Sequence, residues 1–245
     1  MSHYKFFWFF KFFDEELEAF THVAGIAVKN APGCGVASVK ILDANGRGGA
    51  AELLAGLQWV ITNRYKYNIR IINMSVGTSL MGGEPIVKAV ETAWDKGIVI
   101  CAAAGNNGPG QCTITTPGTS RKIITVGASD DFNTVDIWGS RMVNFSGRGP
   151  TKDCIVKPDI IAPGTNILSV SNKGNGLRRM SGTSMSTPAV SGAVALLLEK
   201  NPNLSPNEVK YMLKQSAKNL FFPKNRQGWG ALDIKALLEQ EVSYG

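Results

Sequence analysis

At 245 residues the chain is long enough for one α/β domain with a well-buried core, and its length does not require a second domain. Apolar residues at 44% against charged residues at 18% exclude a disordered or low-complexity chain. The net charge of +7 comes from 26 Lys+Arg against 19 Asp+Glu, spread without a basic stripe or interleaved aromatics, which argues against a nucleic-acid partner.

Residues 1–20 differ from everything after them. Seven aromatics crowd positions 6–13 around Lys11, and Asp14, Glu15, Glu16 and Glu18 follow. The stretch is too short for a transmembrane helix. It lacks the apolar core and small-residue cleavage site of a secretory signal. Its aromatics have no 3.6-residue period, so a helix lying on a membrane is disfavoured. Residues 1–20 read as an atypical aromatic-rich extension, poorly packed or foreign to the domain at 21–245. With no signal and no span, the chain as written is expected to stay in the cytoplasm.

Beyond Gly33 the pattern becomes regular. Val36 to Leu42 reads as a buried strand ended by the turn Asp43-Ala44-Asn45-Gly46. Ala50 to Tyr65 has a helical stripe of Leu53, Leu54, Leu57, Val60 and Ile61. Ile69 to Ser75 is a β-branched apolar run. Pro85 to Lys96 reads as a helix with Pro85 in its first turn and Gly97 at its end. Ile98 to Ala104 and Lys122 to Ala128 read as strands. This alternation predicts an α/β fold: a mostly parallel central sheet flanked by helices. Ligands bind such sheets beyond the carboxyl ends of the strands, where Ser75 and Asn106 fall. Loops and short strands continue to about Met180. Two helical stretches close the chain, Ser184 to Lys200 and Ser205 to Asn219, with Pro206 following the Ser205 N-cap. The cations from Lys210 to Arg226 read as a solvated face of that last helix.

Cys34, Cys101, Cys112 and Cys154 form no C-x-x-C pair, and only His3 and His22 could join them, so no metal site and no cofactor are expected. Cys101 reads as a small buried hydrophobe.

The most specific stretch is Ser181-Gly182-Thr183-Ser184-Met185-Ser186-Thr187-Pro188. It sets a serine at the start of an apolar helix. Unpaired N–H groups there create positive potential and can hold a developing oxyanion. Taken alone, the stretch reads first as an ordinary N-cap. It is not G-x-S-x-G, which disfavours an α/β-hydrolase elbow.

Gly182 to Pro188, with Ser191-Gly192 after it, resembles the nucleophile segment of the subtilisin-like serine proteases. Three further segments match in order. Asn73-Met74-Ser75-Val76-Gly77 resembles the strand that pairs with substrate backbone. Ala102-Ala103-Ala104-Gly105-Asn106-Asn107-Gly108 resembles the oxyanion segment. Lys157-Pro158-Asp159-Ile160-Ile161-Ala162-Pro163-Gly164 resembles the stretch ahead of the serine. The ending Gln227-Gly228-Trp229-Gly230-Ala231-Leu232 also fits, so the resemblance covers roughly residues 21–240. It implies Ser184 as nucleophile and Asn106 as oxyanion donor. It also implies Ser75, Val76, Gly77, Ala102, Ala103, Ala104 and Gly105 around an extended peptide or protein substrate. The chain is expected to be a monomer.

Two departures qualify that implication. The family's aspartate, usually in Asp-Thr-Gly or Asp-Ser-Gly, has no counterpart, so the sheet is expected to lack its N-terminal strand. The family's His-Gly-Thr-His-Val-Ala-Gly stands here as Ala19-Phe20-Thr21-His22-Val23-Ala24-Gly25. Ala19 therefore occupies the position of the general base. His22, three residues on, is displaced by ~4.5 Å of helical rise and about 60°, while a base must lie within ~3 Å of the proton it takes; His22 reads as structural. The stretch from Gly25 to Pro32 is shorter than in relatives, so no calcium site is expected from it. A clean junction at Phe20/Thr21 predicts a truncation, with another reading frame or an exchanged segment supplying residues 1–20. The resemblance thus implies a serine endopeptidase that is inactive or very weak as written. A peptide-binding protein of the same fold, or a non-functional fragment, are the alternatives.

Overall fold

The computed structural model describes residues 5–6, 16–41, 49–77, 83–137, 139–173 and 176–241. His3, most of the aromatic extension and the turn at Asp43–Gly46 lie outside them.

Seven helices and ten strands are described. They are β1 (Lys5–Phe6), α1 (Glu16–Asn30), β2 (Gly35–Val36), α2 (Ala50–Asn63), β3 (Ile71–Met74), α3 (Glu84–Asp95), β4 (Val99–Ala103) and β5 (Ile124–Ala128). Then follow β6 (Val135–Ile137), β7 (Ser140–Met142), β8 (Ile160–Ala162), β9 (Ile167–Val170), β10 (Leu177–Met180), α4 (Thr183–Lys200), α5 (Pro206–Ser216), α6 (Lys224–Gln227) and α7 (Ile234–Glu239).

The architecture is α/β, as the alternation predicts. The central sheet has four parallel strands in the order β3-β4-β5-β8. Every residue of β3, β4, β5 and β8 is buried. That follows from their continuous apolar runs, which suit strands covered on both faces. Helix α4 packs against all four strands, and α2 and α3 pack on each other. α4 is apolar nearly all round, with thirteen buried residues, so it forms the centre of the core rather than a surface layer. Because all four strands run the same way, their carboxyl ends meet at one rim of the sheet.

α5 starts as the sequence implies. Ser205 Oγ accepts from Glu208 N–H, and the Glu208 carboxylate accepts in turn from Ser205 N–H at 2.7 Å.

On the other side, α1 packs along α4 and against the antiparallel pair β9–β10. Close approach requires glycine at both contacts. A Cβ on Gly192 would lie 2.7 Å from Asn30 Cβ, and one on Gly25 would lie 2.5 Å from Ser169 Oγ. α1 runs without a break across the junction at Phe20/Thr21.

Two expectations need correction. The strand at 36–42 is not formed as such. Only Gly35–Val36 pairs, parallel to Lys5–Phe6, and residues 37–41 carry no ladder. They stay extended, with Ala37, Val39 and Ile41 turned to the core and Ser38 and Lys40 exposed. The strand pattern is present, but a ladder needs a neighbouring strand, and among the described residues β3 is paired on its β4 edge only. The solvated-face reading of the C-terminal cations also fails for two of them. Lys210 Nζ donates to the carbonyls of Arg121, Lys122 and Ile123, and Arg226 pairs with the buried Asp131 at 2.8 Å.

Candidate active site

The sheet rim gathers Ser75, Asn106 and Ser184 from three separated segments. Ser184 is the second residue of α4, following Gly182 at φ 140, a left-handed conformation open to glycine. Gly182 has no side chain with which to cap the helix. Asn106, just past β4, does so instead: its Oδ1 accepts from Thr183 N–H at 2.9 Å and from Thr183 Oγ1 at 3.0 Å. Since a backbone N–H can only donate, this contact fixes which end of the Asn106 amide is oxygen. Its Nδ2 lies 3.2 Å from where a Cβ on Gly182 would stand. Asn106 and Ser184 are both half-buried.

Ser184 Oγ donates to the Ser75 carbonyl at 2.9 Å, and Ser75 Oγ donates back to the Ser184 carbonyl at 2.9 Å. The second bond belongs to a buried relay. Ser191 Oγ donates to Asn73 Oδ1, and Asn73 Nδ2 donates to Ser75 Oγ, each at 2.9 Å. One side of the relay touches Cys101, whose thiol burial pushes up to about 12. The relay joins Ser191, in the third turn of α4, to Ser184, its second residue, through β3. Sequence reasoning did not find it; the signal was a polar Asn73 inside an otherwise apolar strand.

The remaining expected contacts divide. Val76 and Gly77 continue from Ser75 beyond the last ladder residue, Met74. Ala102 pairs on both edges of β4, with Met74 on one side and Thr125 on the other, whereas Ala103 pairs with Val126 on the β5 edge alone. Ala104 N–H donates to Val126 and its carbonyl accepts from Thr115. Among the described residues, the edge of β4 that faces Ser75 is therefore unpaired from Ala103 onward.

No imidazole faces Ser184 among the described residues. His22 is wholly buried between α1 and the β9–β10 pair, where its Nε2 lies 2.9 Å from the Ile167 carbonyl and 3.0 Å from that of Arg178. Its own carbonyl accepts from Ser169 Oγ at 2.7 Å. These bonds tie α1 to the hairpin. Ala19 lies one turn earlier, buried. Among the described residues no group of three or more His, Cys, Asp or Glu side chains could hold a metal ion. No described helix is long and apolar enough to cross a membrane.

The family model described as the Subtilase family matches residues 21–230. The chain belongs to the subtilase family. It is 43% identical over 209 residues to Serine protease AprX of Bacillus subtilis (strain 168), covering 75% of this chain and 46% of that protein. It is 34% identical over 211 residues to Subtilisin DY of Bacillus licheniformis, covering 82% of this chain and 70% of that protein. Among solved structures, the prenylagaramide maturation protease PagA superposes with a TM-score of 0.74 at 27% identity, covering 96% of this chain and 93% of that one. The chain thus spans about half the length of AprX, and this subtilase domain is to be compared with part of that protein only.

Proposed function

We propose that this subtilase domain receives extended peptides at the rim formed by Ser75–Gly77, Asn106 and Ser184. It presents the serine and oxyanion half of a peptide-hydrolysing site, and as it stands it hydrolyses peptide bonds at most very slowly. A scissile carbonyl over Ser184 Oγ would place its oxygen between Asn106 Nδ2 and the Ser184 N–H, which has no acceptor among the described residues. Peptide backbone would pair with the segment from Ser75 to Gly77 as an added strand.

The observation that carries the reading is the partner of the nucleophile. Ser184 Oγ gives its proton to a carbonyl, that of Ser75, and a carbonyl cannot take the proton away. Attack needs a base in hydrogen-bond reach. The residue at that place in the family motif is Ala19, and His22 is committed to the hairpin carbonyls. Loss of the histidine in subtilisin itself lowers turnover by about 10⁶-fold, a magnitude that belongs to that enzyme.

A fluorophosphonate probe tests this. It should leave Ser184 unlabelled over hours while the protein shows a cooperative melting transition. A peptide that binds the chain should bind Ser184→Ala equally well. Rapid labelling of Ser184 would reveal a working base and overturn the reading.

A further inference from the structure

Thr115 stands between the two segments that flank Ser184. Its N–H donates to the Ala104 carbonyl at 3.0 Å, which seats it directly beside the Gly105–Asn106 turn. Its side chain reaches from there to the opposite segment. A Cβ on Gly105 would lie 2.6 Å from Thr115 Cγ2 and 2.7 Å from Thr115 Oγ1, and a Cβ on Gly77 would collide with the same Oγ1. Thr115 therefore spans the gap between Gly77 and Gly105, and both glycines are needed to admit it. The residue is only 6% exposed, and its hydroxyl is buried with no hydrogen-bond partner. A buried hydroxyl without a partner carries a desolvation cost that a hydrogen bond from a ligand would offset.

From these contacts we infer that Thr115 closes the pocket for the residue bearing the scissile carbonyl, restricting it to glycine, alanine or serine with serine preferred. This rests on the placement of peptide at Ser184 and Asn106 proposed above. A carbonyl held between those two residues directs its own side chain into the gap between Ser75–Gly77 and Gly105. Thr115 occupies the depth a leucine or phenylalanine side chain would need. A serine hydroxyl entering the shallow remainder can hydrogen-bond to Thr115 Oγ1, which alanine leaves unpaired.

The test uses the full chain and five N-acetylated tetrapeptide amides that differ only in the last residue: glycine, alanine, serine, leucine or phenylalanine. Dissociation constants come from NMR titration. The parent should bind the serine peptide at least threefold tighter than the alanine peptide, and the phenylalanine peptide at least tenfold weaker than either. Thr115→Gly should bring the phenylalanine peptide up by at least tenfold. Thr115→Val, which keeps the volume and removes the hydroxyl, should still exclude phenylalanine but lose the preference for serine over alanine. It serves as the deciding variant if Thr115→Gly does not melt cooperatively. Peptides that bind with one unchanged profile in parent, Thr115→Gly and Thr115→Val overturn the pocket and leave the site intact. If no peptide binds a cooperatively folded parent, the placement of peptide at Ser184 falls, and the pocket with it.

Discussion

The two sides of this molecule are built to different standards. Around α4 a chain of hydrogen bonds holds the serine: Asn106 caps the helix, Ser191 and Asn73 hold Ser75, and Ser75 holds Ser184. The strands beneath are paired and buried. Around residues 35–41 the chain has the alternation of a strand but almost none of its ladder. The contrast teaches that the rim carrying Ser75, Asn106 and Ser184 is assembled by contacts among β3, the turn after β4 and α4. The proposed absence of a base concerns a different element, α1, which docks on α4 and on the β9–β10 pair.

The comparison breaks most severely on its well-built side. Lys157 is fully buried, bonded to Asp159 at 2.6 Å and to the Ile123 carbonyl at 3.0 Å. Asp159 also accepts from Thr125 N–H at 2.7 Å and faces Lys210 at 3.4 Å. Asp159→Ala leaves the fully buried Lys157 and the largely buried Lys210 without their shared carboxylate. It should cost about 3–5 kcal/mol, read from denaturant unfolding. An unchanged midpoint would mean that the lysines escape to solvent.

Next in size is a gain rather than a loss. If α1 is correctly placed and lacks only the base, Ala19→His should raise fluorophosphonate labelling of Ser184 by about 10²-fold, the lower range for a positioned general base. That corresponds to about 2.7 kcal/mol of barrier. His22→Ala in the same assay should not change labelling of the parent. No gain from Ala19→His would show that α1 holds position 19 away from the serine, and the comparison would shift from a missing side chain to a displaced helix.

The docking of α1 can be tested directly. Gly192→Ala puts a methyl group 2.7 Å from Asn30 Cβ and 3.0 Å from the Ala27 carbonyl. Overpacking of this kind costs about 1–3 kcal/mol. It should also lower whatever labelling Ala19→His produces, because it pushes the two helices apart. Stability lost without that second effect would mean α1 is irrelevant to the serine.

What could be read from the sequence follows the range of the forces involved. α2, α3 and α5 lie close to their expected limits because stripe, Pro85 and Ser205 act within a few residues. β3, β4 and β5 follow from apolar runs with a strand's length. Cys101 is buried as its surroundings imply, and Ser184 lies in the first turn of its helix, which begins one residue before the expected start. The failures are all non-local. Residues 36–42 have a strand's pattern, but a strand exists only with a partner. Lys210 looks solvated on a helical wheel because the carbonyls of Arg121, Lys122 and Ile123 come from a segment about ninety residues away. Thr115 carries no motif at all, and its place between Gly77 and Gly105 emerges only when three loops converge.

The smallest effect sharpens the comparison with pH alone. Burial draws the Lys157 ammonium down from an ordinary 10.5 to about 8, opposed by Asp159. Burial pushes the Cys101 thiol up from 9.0 to about 12. The two act in opposite senses. Between about pH 8 and 10.5 the unfolded chain holds the Lys157 proton and the folded chain does not, so stability rises with pH. Above about pH 9 the folded chain keeps the Cys101 proton and the unfolded chain loses it, so stability falls. Each slope is at most about 1.4 kcal/mol per pH unit. Melting temperature should therefore climb from pH 8 toward 9 and level off above it. Lys157→Met should reduce the climb, leaving the part supplied by Lys210, whose ammonium burial also draws down, while Cys101→Ala should extend the climb toward pH 10. Since slopes are compared, the stability each substitution costs by itself does not enter. If the parent and Lys157→Met change in parallel across the range, Lys157 keeps its proton in the fold, and the interior beneath β5 is wetter than its packing implies.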